Sequence, residues 1–247
     1  MEKVFISFDK EPGYAMKESL RSLRTNIQFC GDDVRTIMFT SCVPDEGKST
    51  VVLDLARSIS ESGKNVLLID TDMRKSVLLR RLHAKGENNK EIYGLSHFLS
   101  GQKTIEEVFY STNVPGLFLV FAGPSVPNPT EILEKNYMKE LLDLGRSYFD
   151  YVLVDCAPLG AVIDAAVVAR NCDGAVIVVE QAGVGSRMVI ESKKQLEASG
   201  IRILGAVINK VKMKHSGYYN YYYKKYYGKY YGKYYSNEKS EKRKKEK

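Results

Sequence analysis

The stretch RTIMFTSCVPDEGKSTVVLDLA, residues 35–56, decides how this chain is to be read. An apolar, β-rich run ends at Ser41, a short loop follows, and Lys48 opens a segment of helical character. Gly47-Lys48-Ser49 between a buried strand and a helix is the setting of a Walker A phosphate-binding loop. In such a loop backbone N–H groups and the helix N-terminus surround a phosphate chain. Asp45, Glu46, Gly47, Lys48, Ser49 and Thr50 are therefore the candidate nucleotide-binding set. Lys48 is expected to reach the β- and γ-phosphates, and the Ser49 hydroxyl to ligate Mg²⁺. An ordinary strand–loop–helix turn does not account for a lysine at a helix start. A cation there opposes the helix dipole by about 0.3–1 kcal/mol, and an anionic ligand reverses that penalty. One position departs from the full pattern: the first glycine is Cys42.

Outward from the loop the same alternation repeats. Residues 36–41, 65–70, 117–122, 151–155, 175–180 and 203–209 read as strands. VLLID, YVLVD, AVIVVE and LGAVI are apolar on both faces, as strands inside a parallel sheet must be. Helical periodicity marks 48–62, 130–147, 164–171 and 186–199, with a further helix at 12–29. Strands alternating with helices predict right-handed crossovers and a doubly wound, mostly parallel α/β sheet of the P-loop NTPase kind.

Three strand ends carry the remaining chemistry. Asp155 closes YVLVD, at the position where a Walker B carboxylate holds magnesium. VLLID runs into Asp70-Thr71-Asp72-Met73-Arg74, two carboxylates and an arginine crowded beside the loop. Clustered acids repel unless a cation offsets them, and Mg²⁺ is the natural one. Ser49, Asp70 and Asp155 form the candidate metal set. Asp72 is the preferred acceptor of a proton from an incoming hydroxyl, a role Asp70 could exchange with it. Asn209 closes LGAVIN at the same edge, where its amide could read an adenine, although an Asn ending a strand is more often turn chemistry.

The net charge of +7 is not uniform. From Lys212 onward there are 12 Lys/Arg against 3 Asp/Glu, which leaves the preceding residues mildly acidic. Residues 1–211 read as one domain and 212–247 as a disordered, basic tail without aliphatic core formers. That tail holds Tyr218, Tyr219, Tyr221, Tyr222, Tyr223, Tyr226, Tyr227, Tyr230, Tyr231, Tyr234 and Tyr235, eleven of the seventeen tyrosines. So many rings interleaved with Gly and Lys cannot all find a core, but they suit phosphoacceptors. About 20 flexible residues span on the order of 25 Å, enough to reach a neighbouring subunit. Cys30, Cys42, Cys156 and Cys172 lack C-x-x-C spacing and read as reduced thiols. No apolar run approaches the roughly 20 residues of a spanning helix.

Taken together, PDEGKST, VLLIDTDMR, YVLVD and the terminal tyrosine cluster resemble the bacterial tyrosine kinases that accompany capsule and exopolysaccharide synthesis. The resemblance implies a Mg²⁺- and ATP-dependent protein-tyrosine kinase, with Lys48, Asp70, Asp72 and Asp155 catalytic and Arg74 completing the second Walker A motif. It implies autophosphorylation of the tail between subunits of a ring-like homo-oligomer, and regulation of polysaccharide synthesis. Glu18, Arg21 and Arg24, which on pattern alone are a solvated helix face, resemble the family's E-x-x-R-x-x-R subunit contact. The Gram-positive split type further implies a cytoplasmic chain recruited peripherally to the membrane by an adaptor's cytoplasmic segment. A phosphotyrosine phosphatase and other tyrosine substrates are the other implied partners. Asp45 departs from the glycine common before Glu-Gly-Lys-Ser, and Cys156-Ala157 from the usual Thr-Pro or Ser-Pro.

Two alternatives share the fold. One is a polysaccharide-assembly scaffold in which ATP only sets oligomeric state. The other is a partitioning-type ATPase with a DNA-binding tail, since lysines with aromatics suit nucleic acid. Such ATPases carry a second lysine five residues before the loop lysine, where this chain has Val43, so nucleic acid is not an expected partner.

Overall fold

Central strands that are apolar on both sides require helices on both sides, and this is the arrangement found. The structure, a computed structural model, describes residues 1–212; the tail tyrosines lie outside the described residues. In chain order the elements are β1 (Glu2–Phe5), α1 (Tyr14–Gln28), β2 (Thr36–Ser41), α2 (Lys48–Ser60), β3 (Val66–Asp70), α3 (Leu78–Arg81), β4 (Lys85–Gly86), α4 (Leu95–Leu99), α5 (Ile105–Val108), β5 (Tyr110–Thr112), β6 (Leu117–Val120), α6 (Pro129–Leu133), α7 (Asn136–Tyr148), β7 (Tyr151–Asp155), α8 (Asp164–Ala169), β8 (Gly174–Glu180), α9 (Ser186–Ala198) and β9 (Ile203–Asn209). The nine strands form one sheet in the order β4-β1-β5-β6-β3-β7-β2-β8-β9. From β6 to β9 every pairing is parallel. β4 and β5 add antiparallel pairings, to β1 and β6 respectively.

Side-chain alternation along the strands sorts the core into two layers. Leu67, Ile69, Val152 and Val154 face α7 and α8, together with Leu141, Leu142 and Val168. Val66, Leu68 and Leu153 face α2, together with Val52, Leu55 and Ile59. Leu20 and Ile27 of α1 extend this second layer across α2. Asp70 and Asp155 share the parity of Leu68 and Leu153, so both carboxylates end up on the α2 side. Strand alternation alone thus carries the acids to the helix that begins with Lys48.

Two expected elements are corrected. The helix read over 130–147 is two helices, α6 and α7, with Lys135 extended between them at φ −66° and ψ 152°. Leu133 and Met138 are both buried but lie about 140° apart on a continuous helix, wider than one apolar stripe. The break lets each reach the core. The strand read over 117–122 ends at Val120, because the carbonyls of Phe121 and Ala122 accept the N–H groups of Leu95 and Ser96 instead.

Candidate active site

The loop between β2 and α2 is built around one buried carboxylate. Glu46 is 1% exposed. Its Oε2 accepts the N–H groups of Cys42 (2.7 Å) and Val43 (2.9 Å), and its Oε1 that of Glu180 (3.1 Å). The side chain expected among the nucleotide contacts therefore sits behind the loop and holds its shape, leaving the Glu46 backbone for a ligand. Cys42, in place of the first glycine, is wholly buried against the α8 side of the core. Burial pushes its thiol pKa up, so it serves as a neutral core residue. Gly47 adopts φ +85° at the N-cap of α2. A Cβ there would collide with the Asn209 amide, so glycine is required twice over.

Beyond the loop, β3 and β7 place Asp70 directly opposite Asp155 in parallel register. Lys48, 8% exposed, lies 3.0 Å from Asp155 Oδ1 and 3.5 Å from Asp72 Oδ2, and 3.3 Å from the Ser49 hydroxyl. Desolvation works to lower its pKa, but the charges of Asp155 and Asp72 outweigh this and hold the ammonium above its usual range. Asp70 accepts the Ser76 hydroxyl (2.7 Å) and the Asp72 N–H (3.0 Å). Burial, reinforced by the charge of Asp155, pushes its carboxyl up to about 7. The sequence therefore brings Lys48, Ser49, Asp70, Asp72 and Asp155 together.

This donor set fits Mg²⁺. Three acids share one ammonium, and one of them is held toward its neutral form for want of positive charge. Among the described residues no group of three side chains forms a metal cage. Mg²⁺ ordinarily takes one or two carboxylates and completes its shell with phosphate oxygens and water.

The remaining site residues are engaged locally. Arg74 donates to the buried Asp164 (2.8 and 3.2 Å) and to Thr130. Arg81 bonds the Thr50 hydroxyl. Asn209 Nδ2 donates to the Glu46 carbonyl at 2.9 Å, which commits one hydrogen of the amide expected at the adenine. On α1, Glu18 and Arg21 pair with each other at 2.5 Å, while Arg24 donates to the Ser58 carbonyl (2.6 Å) at the end of α2. Asp164, Ser76, Glu180 and Lys210 were not legible as site residues; each acts through a neighbour rather than through a motif.

Asp70 also sets a pH dependence. Its folded-state pKa lies above the ordinary carboxylate value, so its contribution is full below about pH 4 and lost as the pH rises through about 7. The nucleotide-free, metal-free protein is expected to lose thermal stability between about pH 4 and pH 7, and Asp70→Asn to flatten that slope. Melting curves across this range decide it; an unchanged slope in the variant assigns the effect to another group.

Comparison with known proteins gives the family of the chain. A family model described as "AAA domain" matches residues 35–213. The chain is 38% identical over 205 residues to the tyrosine-protein kinase CpsD of Streptococcus agalactiae, covering 83% of this chain and 88% of that protein. It is 35% identical over 214 residues to the tyrosine-protein kinase YwqD of Bacillus subtilis, covering 85% and 88%. Among solved structures, the kinase domain of the Escherichia coli tyrosine kinase ETK superimposes with a TM-score of 0.72 at 31% identity, covering 81% of this chain and 79% of that one.

Proposed function

This chain belongs to the bacterial tyrosine-protein kinases, and from that premise we infer that it transfers the γ-phosphoryl group of Mg-ATP to the tyrosines of its own C-terminal cluster. The observation that carries the reading is the convergence of Lys48, Asp72 and Asp155 at the start of α2, beside a glycine-containing loop. Phosphoryl transfer passes through a loose, charge-rich transition state, so positioned cations and N–H groups supply most of the catalysis. Lys48 exchanges its carboxylate partners for the β- and γ-phosphates. Ser49, Asp70 and Asp155 would hold Mg²⁺, which would supply neutralisation of phosphate charge. Asp72 accepts the phenol proton: at 8% exposure it is more accessible to an incoming ring than Asp70 at 1%.

The tail supplies the first substrate. Each phosphotyrosine adds about −1.5 to −2 charges at pH 7, so modification of about half the cluster offsets the basic excess beyond Lys212. We assign Glu18, Arg21 and Arg24 to contacts between subunits of a ring, where one chain's tail reaches its neighbour's site. Charge inversion then loosens the ring and limits the reaction. An adaptor's cytoplasmic segment recruits the kinase to the membrane, a phosphatase resets it, and the cycle regulates capsular or exopolysaccharide synthesis. No helix among the described residues is long and apolar enough to cross a membrane.

Incubation with ATP and Mg²⁺, with and without an activating fragment, followed by mass spectrometry of the C-terminal peptide, tests this. Several phosphates within 218–235 are expected, together with a fall in native oligomer mass. An unmodified tail, with tyrosine phosphorylated elsewhere, would remove the autophosphorylation step.

A further inference from the structure

The loop has a second lysine, and it comes from the far end of the fold. Lys210, just past β9, donates from Nζ to the Asp45 carbonyl at 2.6 Å and to Glu180 Oε2 at 2.9 Å. Its neighbour Asn209 donates to the next loop carbonyl, that of Glu46, at 2.9 Å. Two consecutive side chains thus hold two consecutive carbonyls. The Gln181 N–H, donating to the Asn209 carbonyl, ties this pair to the end of β8.

Asp45 needs such a hold. Its φ is +66°, in the left-handed region that a residue with a Cβ enters at a steric cost. No peptide bond among the described residues is cis, so each amide N–H points opposite to the carbonyl of the same peptide. With the carbonyls of Asp45 and Glu46 drawn toward Lys210 and Asn209, the N–H groups of Glu46 and Gly47 are turned the other way. Two N–H groups side by side on one face of a tight loop make an anion-binding nest. Were Asp45 to relax to negative φ, the 45–46 peptide would rotate and the nest would lose a donor.

We propose that Lys210, with Glu180 as its counter-ion, is a positioning residue for phosphate binding: it keeps Asp45 left-handed and so aims the Glu46 N–H at the nucleotide. The inference rests on the reading of 42–50 as the nucleotide's phosphate loop. Lys210 does not touch the reacting atoms; its effect passes through the peptide it holds.

The full chain is titrated with Mg-ATP by calorimetry, and tyrosine phosphorylation is followed in parallel. Lys210→Met is expected to raise Kd and KM for ATP about tenfold, equivalent to about 1.4 kcal/mol, with kcat changed less than about threefold because Lys48 and the acids stay in place. Glu180→Gln shifts KM the same way by a smaller factor and reports independently should Lys210→Met fold poorly. In an Asp45→Gly background, where left-handed φ carries no steric cost, Lys210→Met is expected to raise Kd less than about threefold. Binding within twofold of wild type in Lys210→Met, or an undiminished loss in the Asp45→Gly background, overturns the proposal. Lys48→Met separates the two levels. If it too leaves binding intact, the loop reading itself fails; if it alone abolishes binding, only the role of Lys210 falls.

Discussion

Lys48→Met is expected to lower tyrosine phosphorylation at saturating ATP by at least about 10²–10³-fold, the scale of removing one charged group aimed at a developing transition-state charge. Two effects combine. The variant loses the cation proposed to meet the β- and γ-phosphates, and it leaves Asp70, Asp72 and Asp155 without the ammonium 3.0 Å from Asp155 and 3.5 Å from Asp72. Removing one member of a buried ion pair strands the rest at a cost of about 3–5 kcal/mol, unless the carboxylates take up protons. The variant should accordingly melt closer to wild type at about pH 5.5 than at about pH 8. Quantitative phosphotyrosine mass spectrometry beside paired melting curves checks both halves. Activity within tenfold of wild type would remove Lys48 from the chemistry.

Glu46→Ala should be the most damaging change outside the acidic cluster. The carboxylate takes three backbone N–H groups, those of Cys42, Val43 and Glu180, in a position closed to water. Each orphaned donor costs about 1–3 kcal/mol. With partial relaxation, a total near 3 kcal/mol lowers the melting temperature by roughly 6–12 °C for a chain of this size. Mg-ATP affinity should fall by more than about tenfold, because the loop loses the post it folds around. Glu46→Gln, which keeps one acceptor oxygen, should recover part of both losses. A melting shift below about 2 °C in the alanine variant would show that the loop holds its form without this group.

What could be read in advance follows from how each feature is encoded. β3, β7, β8 and β9 are runs rich in branched aliphatic residues, and a run apolar on both faces admits few other readings. Gly47-Lys48-Ser49 and the acids at 70, 72 and 155 sit at fixed distances from those runs, so their meeting was legible. β1, β4 and β5 were not, because four, two and three residues are too few to show a period. The break at Lys135 carries no Gly or Pro and follows from where Leu133 and Met138 must go, a tertiary demand. Glu46 belongs to the motif, yet nothing in its neighbours says that its carboxylate turns back onto Cys42 and Val43. Lys210 lies 165 residues from Asp45, and only the closure of the sheet's edge over the loop brings them together.

The pairing of Asp70 with Asp155 across β3 and β7 has a consequence for how the chain reaches its native state. A slip of one residue between these strands would carry every aliphatic side chain to the opposite layer and drive a carboxylate into the hydrocarbon packed beneath α7. Misaligned intermediates are thereby penalised twice, through lost burial and through stranded charge. The two carboxylates to which the proposed chemistry is assigned thus also proofread the assembly of the sheet that presents them.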